Sequence, residues 1–145
     1  MPVSPASLFG LGNMVALAGW ALLASGIAFR STLLKAVGGL WVPIALCTLY
    51  TALIGAYWSS AEGGFSSLDG VAALFRSPWM LLAGWLHYLA FDLFIGAWIA
   101  ADAEARGLHR ALLIPVLPAV FLFGPAGLLL WIGLRAAFAP AAATS

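Results

Sequence analysis

The chain has 145 residues, of which 64% are hydrophobic and only 8% are charged, and its formal net charge is +1. A soluble domain usually has about a quarter of its residues charged, so this composition excludes an ordinary soluble fold and predicts an integral membrane protein. The near-neutral charge gives no basic field for nucleic acid. Because Cys47 is the single cysteine, an internal disulfide, a CxxC redox pair and a cysteine-based zinc site are also excluded.

Four apolar runs are long enough to cross a bilayer core of about 30 Å, which takes roughly 20 residues of helix. They cover about residues 8–29, 37–58, 78–101 and 112–134. The longest connection follows the second run, and apolar residues recur in it at helical spacing, which predicts a short interfacial helix over about 67–76. It is either a simple connector or a lid over a pocket. The sequence thus predicts an all-α polytopic membrane protein with four transmembrane helices in one domain, residues 1–145.

The basic residues of the short loops predict an orientation. Arg30 and Lys35 lie between the first two helices, and Arg106 and Arg110 lie between the last two. Since cytoplasmic loops are enriched in Lys and Arg, both termini are predicted to lie outside. Arg76 and Arg135 then fall on the outer side. An aromatic belt is expected there too, formed by Tyr57, Trp58, Trp79 and Trp131.

The fourth helix contains Pro118 and the pair Gly124-Pro125. Proline removes a helical hydrogen bond and clashes with the preceding turn, so a kink is predicted in mid-membrane around residues 121–127. Carbonyl groups freed by the kink need partners, which places them inward. The kink either shapes a ligand pocket or relieves packing.

Asp92 lies near the centre of the third predicted helix. A carboxylate at that depth costs a few kcal/mol on insertion scales, so it indicates a functional site. At about 100° per residue, Asp92 shares one helix face with Gly84, Trp85, Tyr88 and Gly96, and Tyr88 is placed to donate a hydrogen bond to it. The alternative is a purely structural bond from Asp92 to Asn13, Ser25, Thr48 or Thr51.

His87 is the other titratable side chain at this depth. It points about 140° around the axis from Asp92, so the sequence leaves open whether both face one cavity. A neutral Asp92 is a candidate general acid, and His87 is then the natural base or relay. The alternative for His87 is an ordinary hydrogen bond between helices. No metal site and no cofactor are predicted.

Two stretches carry a family resemblance. Residues 85–96 read WLHYLAFDLFIG, with Asp102 beyond them, and residues 121–127 read FLFGPAG. Together they resemble the abscisic-acid-deficient type of membrane protein, which plants need for neoxanthin synthesis and which has bacterial relatives. The resemblance implies that His87, Asp92 and Asp102 are the family's polar positions. Plant members have a basic residue where Ala97 stands here. The compact, alanine-rich chain is predicted to be a bacterial inner-membrane protein.

The resemblance also implies a chemistry. In plants the implied reaction opens an epoxide of violaxanthin to an allene, an isomerisation that requires no redox cofactor. It needs an acid at the epoxide oxygen and a base at a neighbouring carbon, and Asp92 and His87 are the implied catalytic pair. The implied polyene-binding residues are Asn13, Trp20, Trp85, Tyr88, Phe91, Trp98 and Phe121, with further aromatic walls at Phe94 and Phe123. At helical spacing, such aromatic residues also suit an ordinary bundle core.

Three functions follow from these observations. The first is a membrane-embedded isomerase that acts on a carotenoid or retinoid polyene by acid/base chemistry. The second is a protein that binds a carotenoid or another isoprenoid without changing it, and the third is a structural partner subunit. The expected partners are a hydrophobic polyene and the lipid bilayer. A homodimer is possible through small-residue faces at Gly38, Gly39 or Gly96.

Overall fold

The computed structural model describes residues 4–138, and the regular structure of these residues is helical. Five helices follow one another, namely α1 (Pro5–Ala28), α2 (Thr32–Ser60), α3 (Leu68–Leu74), α4 (Pro78–Ala105) and α5 (Leu113–Ala137). All but α3 are long and apolar enough to cross a membrane. The predicted fold class is confirmed as an all-helical chain with four long apolar candidate membrane spans and a short helix between the second and third of them. Of the predicted domain, residues 1–3 and 139–145 lie outside the described residues.

Serine side chains fix where three of the helices begin. Ser4, Ser31 and Ser67 each accept a hydrogen bond from a backbone N–H three residues further on, at the starts of α1, α2 and α3. Pro5 and Pro78 occupy the first turns of α1 and α4, where a missing N–H costs nothing. Helices α1 and α2 therefore begin three and five residues before the starts predicted from hydropathy, because the capping serines determine where each helix begins.

Helix α4 is the centre of the bundle and packs against α1, α2 and α5. Leu86 and Leu93 of α4 are fully buried. They press into α1 at Gly12 and Gly19, where an added Cβ would come within 2.7 and 2.5 Å of their methyl groups. Small residues in α1 thus let two long helices approach closely, which is how van der Waals contact holds helices together in lipid.

Helix α2 contains a π-helical turn at Val37–Trp41. There Gly38 packs on the backbone of α1 and Gly39 packs on Ala97 of α4, while Gly96 of α4 lies under the ring of Trp20. The small-residue faces proposed for a homodimer are therefore used inside the chain, so this part of the prediction is wrong. The homodimer itself stays a prediction.

Gly38→Ala is expected to destabilise the bundle. An added Cβ would lie 2.5 Å from the carbonyl oxygen of Gly19 and 2.6 Å from the amide nitrogen of Leu23. Backbone cannot move aside as a side chain can, so we expect a loss of about 1 to 3 kcal/mol. Thermal unfolding in detergent measures it. Gly55→Ala is the control, because a Cβ there meets nothing within 4 Å; equal stability of the two variants would contradict the packing described here.

Helix α5 reverses direction in mid-membrane. Its backbone leaves helical geometry at Phe123 (φ −141°, ψ 30°) and Gly124 (φ 16°, ψ −80°). Beyond this point Gly127 packs directly against Val120, although seven residues span about 10 Å along a straight helix. Residues 113–122 and 125–137 are therefore the two arms of a helical hairpin, with its tip at Phe123 and Gly124.

The hairpin brings the end of α5 to the end of α4. Asp102 Oδ2 accepts hydrogen bonds from Trp131 Nε1 at 3.0 Å and from Arg135 at 3.2 Å, and its Oδ1 accepts one from Arg106 Nε at 2.8 Å. Trp131 and Arg135 were predicted on the membrane face opposite Arg106. That prediction is wrong because the chain turns back at Gly124. The position of the kink was predicted correctly, but the reversal of the helix direction at the kink was not predicted.

Five of the six basic residues therefore share one membrane face, which we call the basic face: Arg30, Lys35, Arg106, Arg110 and Arg135. A contact between α2 and α4 helps to hold it together, since Lys35 Nζ lies 2.5 Å from Glu104 Oε2. The described chain begins on the opposite face and ends on the basic face, so the prediction of both termini outside is wrong for these residues. That the basic face is cytoplasmic stays a prediction.

The opposite face carries α3. Leu74 at its end is buried, and Phe75 packs on Gly84 of α4, where a Cβ would come within 2.9 Å of the ring. Nearby, the Tyr57 and Trp79 rings stack with centroids 4.3 Å apart, so this part of the predicted aromatic cluster is confirmed. The packing ties α3 to α4 as a connector, and a role as a lid stays a prediction.

Candidate functional site

Asp92 lies where the centre of α4 meets the hairpin tip. Among residues 4–138 it is the only charged side chain that is buried, at 8% exposure. A Cβ placed on Gly124 would collide with the carboxyl group, Oδ1 first. Glycine at the tip therefore provides the space for a carboxyl group in the middle of the membrane.

One oxygen of this carboxyl group, Asp92 Oδ2, is buried without a hydrogen-bond partner among the described residues. The proposed structural partners bond elsewhere. Thr48 and Thr51 donate to the carbonyls of Ile44 and Cys47 in their own helix, and Asn13 accepts a bond from Trp85. Within residues 4–138, none of these three side chains therefore bonds to Asp92, and neither does Ser25, the fourth proposed partner. A buried polar atom left without a partner costs about 1 to 3 kcal/mol and calls for an explanation, of which a functional role is one.

Tyr88, one turn before Asp92, holds the hairpin tip in place. Its hydroxyl donates to the backbone carbonyls of Leu122 at 3.0 Å and Phe121 at 3.3 Å. Pro125 has no N–H, so the Phe121 carbonyl lacks its usual helical donor. The freed carbonyls therefore have an inward partner in Tyr88, and a hydrogen bond from Tyr88 to Asp92 stays a prediction.

Tyr88→Phe is expected to destabilise the protein by about 1 to 3 kcal/mol, because it leaves carbonyl groups at membrane depth without a donor. Thermal unfolding in detergent measures the loss. Tyr57→Phe is the matched control, since the Tyr57 ring stacks on Trp79 and its hydroxyl has no hydrogen-bond partner within residues 4–138. If both variants unfold at the same temperature, Tyr88 does not anchor the tip.

An aromatic strip extends from the tip towards the opposite face. The Trp85 ring lies 5.2 Å from that of Tyr88 and 5.7 Å from that of Phe9, and Trp85 Nε1 donates to Asn13 Oδ1 at 2.9 Å. Trp85 is 37% exposed. Because the hairpin arms occupy only the half of the bundle nearer the basic face, this strip faces the bilayer directly.

A groove runs from the tip towards the basic face, between α1 and residues 113–121 of α5, and has a volume of 750 Å³. At its deep end Trp20 and Phe121 meet edge to face, with centroids 5.6 Å apart. Trp20 also covers Gly96 of α4. The groove and the aromatic strip thus approach the hairpin tip from its two sides.

Three of the predicted site residues lie elsewhere. His87 is exposed and stacks on Phe91 at 4.4 Å, with Tyr50 of α2 at 5.7 Å. Trp98 lies near the basic face, with the Arg135 guanidinium carbon 5.9 Å from its ring centroid. The structure therefore brings Asn13, Trp20, Trp85, Tyr88 and Phe121 to the side of α4 that carries Asp92. It places His87, Phe91 and Trp98 on other sides.

A family model described as ABA DEFICIENT 4-like matches residues 7–131. The chain belongs to the ABA DEFICIENT 4-like family. The match extends from the first turn of α1 into the second arm of the hairpin, so the resemblance seen in residues 85–96 and 121–127 is confirmed over most of the chain. No curated protein and no solved structure matches it.

In this member of the ABA DEFICIENT 4-like family, two features of the site were not predicted. The first is the contact of Gly124 with Asp92, although a Gly-Pro pair in an apolar helix was a usable signal. The second is a cavity of 610 Å³ between α2 and α4, lined by Thr48, Thr51, Phe91 and Phe94 among others. Among residues 4–138, no three metal-binding side chains come together.

Proposed function

We propose that this protein is a membrane-embedded isomerase of a carotenoid or retinoid polyene, and that Asp92 is its proton-transferring group. The observation that carries the proposal is the buried, unpartnered Oδ2 of Asp92 at the hairpin tip. Membership of the ABA DEFICIENT 4-like family supports the ligand class, because plant proteins of this type are needed for neoxanthin synthesis.

A polyene would lie along the strip of Phe9, Trp85 and Tyr88, with its reactive end at Asp92. An isomerisation of the implied kind has two proton transfers. The epoxide oxygen gains a proton as its C–O bond breaks, and a neighbouring carbon loses a proton as a new C=C bond forms. A carboxyl group has two oxygens, so Asp92 would donate from one, accept at the other and end as it began.

In this proposal His87 takes part in the chemistry only for one position of the ligand. It lies towards α2, beside Phe91 and Tyr50, so it would act as the base only for a ligand that passes between α2 and α4. A ligand held on the aromatic strip would be served by Asp92 alone. Substitution of each residue separately distinguishes the two arrangements.

A second candidate function is binding of a polyene without chemistry. The 610 Å³ cavity between α2 and α4 supports it, because no acidic or basic side chain contributes to its lining. Apolar cavities of several hundred Å³ suit hydrophobic ligands. A polyene held there would be sequestered or delivered unchanged.

The test is an absorption spectrum and an organic extract of the detergent-purified protein from a carotenoid-producing host. A co-purifying polyene that is rearranged relative to the host pool is the expected result. An unaltered polyene would favour the binding function. A colourless extract, repeated after addition of retinal and apocarotenoids, would overturn both and leave a structural partner subunit.

A further inference from the structure

We infer that the basic face carries a site for an anionic phospholipid, with an acyl chain in the groove between α1 and α5 and the phosphate in an adjoining polar cavity. The inference does not rest on the proposed isomerase, since it concerns the half of the bundle between the hairpin tip and the basic face and shares only Trp20 and Phe121 with the predicted polyene-binding residues. Two contiguous cavities, the charges around them and one backbone conformation carry it.

The groove has the length of one leaflet. It is lined from Arg110, on the basic face, to Phe121, at the hairpin tip. The eleven residue steps from Arg110 to Phe121 span about 16 Å at helical rise, which is close to half of a bilayer core of about 30 Å. Between its ends the lining is apolar, with Ala24, Ile114 and Leu117 among its residues. The groove therefore matches one acyl chain that enters from the basic face.

The polar cavity continues the groove. It has a volume of 490 Å³, and both cavities are lined by Ile27, His109, Arg110 and Leu113. Arg30, Lys35 and Arg110 contribute three cations to its wall, against a single carboxylate from Glu104. A chain lying in the groove thus has its polar end among an excess of positive charge.

The three basic side chains of this cavity differ in their ion pairs and hydrogen bonds. Lys35 is paired with Glu104, and Arg110 donates one bond to the Ala28 carbonyl at 3.0 Å. Within residues 4–138, Arg30 and Arg110 form no ion pair. Arginine presents several donors in a planar fork that suits phosphate oxygens, so two guanidinium groups are available to a phosphate.

Arg30 occupies a position that normally favours glycine. Its φ of 56° is left-handed, and the Ser31 N–H after it bonds back to the Gly26 carbonyl at 2.9 Å, closing the end of α1. Glycine is the usual residue at this place, because other L-residues are strained there. A non-glycine residue at a strained position points to a role for its side chain, and here the side chain of Arg30 lines the polar cavity.

The distribution of basic residues indicates which class of lipid binds at this site. Five of the six basic residues of the chain lie on this face. Lys and Arg near a membrane surface favour anionic lipids, and basic pockets between helices bind their phosphate groups. A groove for one chain that ends in such a pocket fits a phospholipid with net negative charge better than a zwitterionic one.

The first experiment compares two lipids of identical acyl chains on the delipidated, detergent-purified full chain. Phosphatidylglycerol is expected to raise the melting temperature and to remain bound in native mass spectrometry, and phosphatidylcholine to do so at least tenfold more weakly. Equal binding of both lipids would overturn the inference. Inorganic phosphate alone is the third arm, and stabilisation by phosphate at the same concentration would show a free-anion site and overturn the lipid assignment.

Charge variants test the polar cavity. Arg30→Gly relieves the left-handed strain, so it is expected to fold at least as stably as the parent while its Kd for phosphatidylglycerol rises about fivefold. Glu104→Gln removes the opposing carboxylate and is expected to lower that Kd, an effect that a structural role would not produce. Arg76→Ala, on the opposite face, is the control. Unchanged Kd values in both charge variants would overturn the inference.

A substitution that fills the groove tests whether an acyl chain binds there. Ala24 lines it and is exposed, so Ala24→Phe would fill the groove without disturbing buried packing. We expect at least a tenfold loss of phosphatidylglycerol binding. Ala21→Phe is the matched control, because Ala21 is exposed on the same helix outside the groove lining. Equal binding by the two variants would contradict the proposed path of the acyl chain.

Discussion

Asp92→Asn is expected to reduce formation of the rearranged polyene by at least about 100-fold, while the protein still folds and still binds the ligand. Asparagine has nearly the same shape as aspartic acid, but it cannot transfer a proton. Proton transfer by a positioned side chain contributes about 10² to 10⁴ in rate. The ratio of product to precursor in extracts of the purified protein measures the effect.

His87→Asn is the matched control for Asp92→Asn. It also replaces a titratable side chain of α4, five residues away, but on the side that faces α2. If Asp92 alone transfers the proton, the product ratio in His87→Asn should stay within about threefold of the parent value, far from the loss expected of a general base. Equal losses in both variants would assign the base to His87. An unchanged product ratio in Asp92→Asn would contradict proton transfer by Asp92.

Gly124→Ala is expected to destabilise the protein by about 1 to 3 kcal/mol, the usual range for overpacking a buried site. The new Cβ would collide with the Asp92 carboxyl group, so either the side chain or the hairpin tip has to move. Loss of product is expected as well, because the carboxyl group is displaced. Unfolding in detergent and the polyene extract measure the two effects.

Two further variants interpret the Gly124 result. Gly133→Ala is a control in the same helix, since a Cβ there meets nothing within 4 Å. The double variant Gly124→Ala/Asp92→Ala removes the carboxyl group that the new Cβ would strike. Its destabilisation should be smaller than the sum of the single effects, because residues in contact couple. Strict additivity would mean that Gly124 does not pack on Asp92.

The four long helices were predictable because lipid demands long apolar segments, and hydropathy measures that demand directly. The limits of α1 and α2 were less predictable, since Ser4 and Ser31 set them through capping bonds. The path of α5 was not predictable from hydropathy at all. A straight helix and a hairpin that turns at Gly124 bury equally apolar sequences, and what distinguishes them is the set of bonds to Asp102.

The candidate site was predictable where helical periodicity determines it. Trp85, Tyr88 and Asp92 share a side of α4 because they lie three or four residues apart, and His87 points away for the same reason. Helical periodicity does not predict which residues of different helices come into contact. The bond from Tyr88 to the tip carbonyls and the contact of Gly124 with Asp92 both depend on the reversal of α5.

The reversal also makes the two halves of the protein unequal in cross-section. Near the basic face, five helical segments lie side by side: α1, α2, α4 and both arms of α5. Beyond the tip only α1, α2 and α4 remain. With each helix about 10 Å across, the protein displaces markedly more lipid from one leaflet than from the other. The half with three helices leaves the tip open towards that leaflet, so the proposed polyene substrate would reach Asp92 by lateral diffusion in the bilayer, without an aqueous entrance.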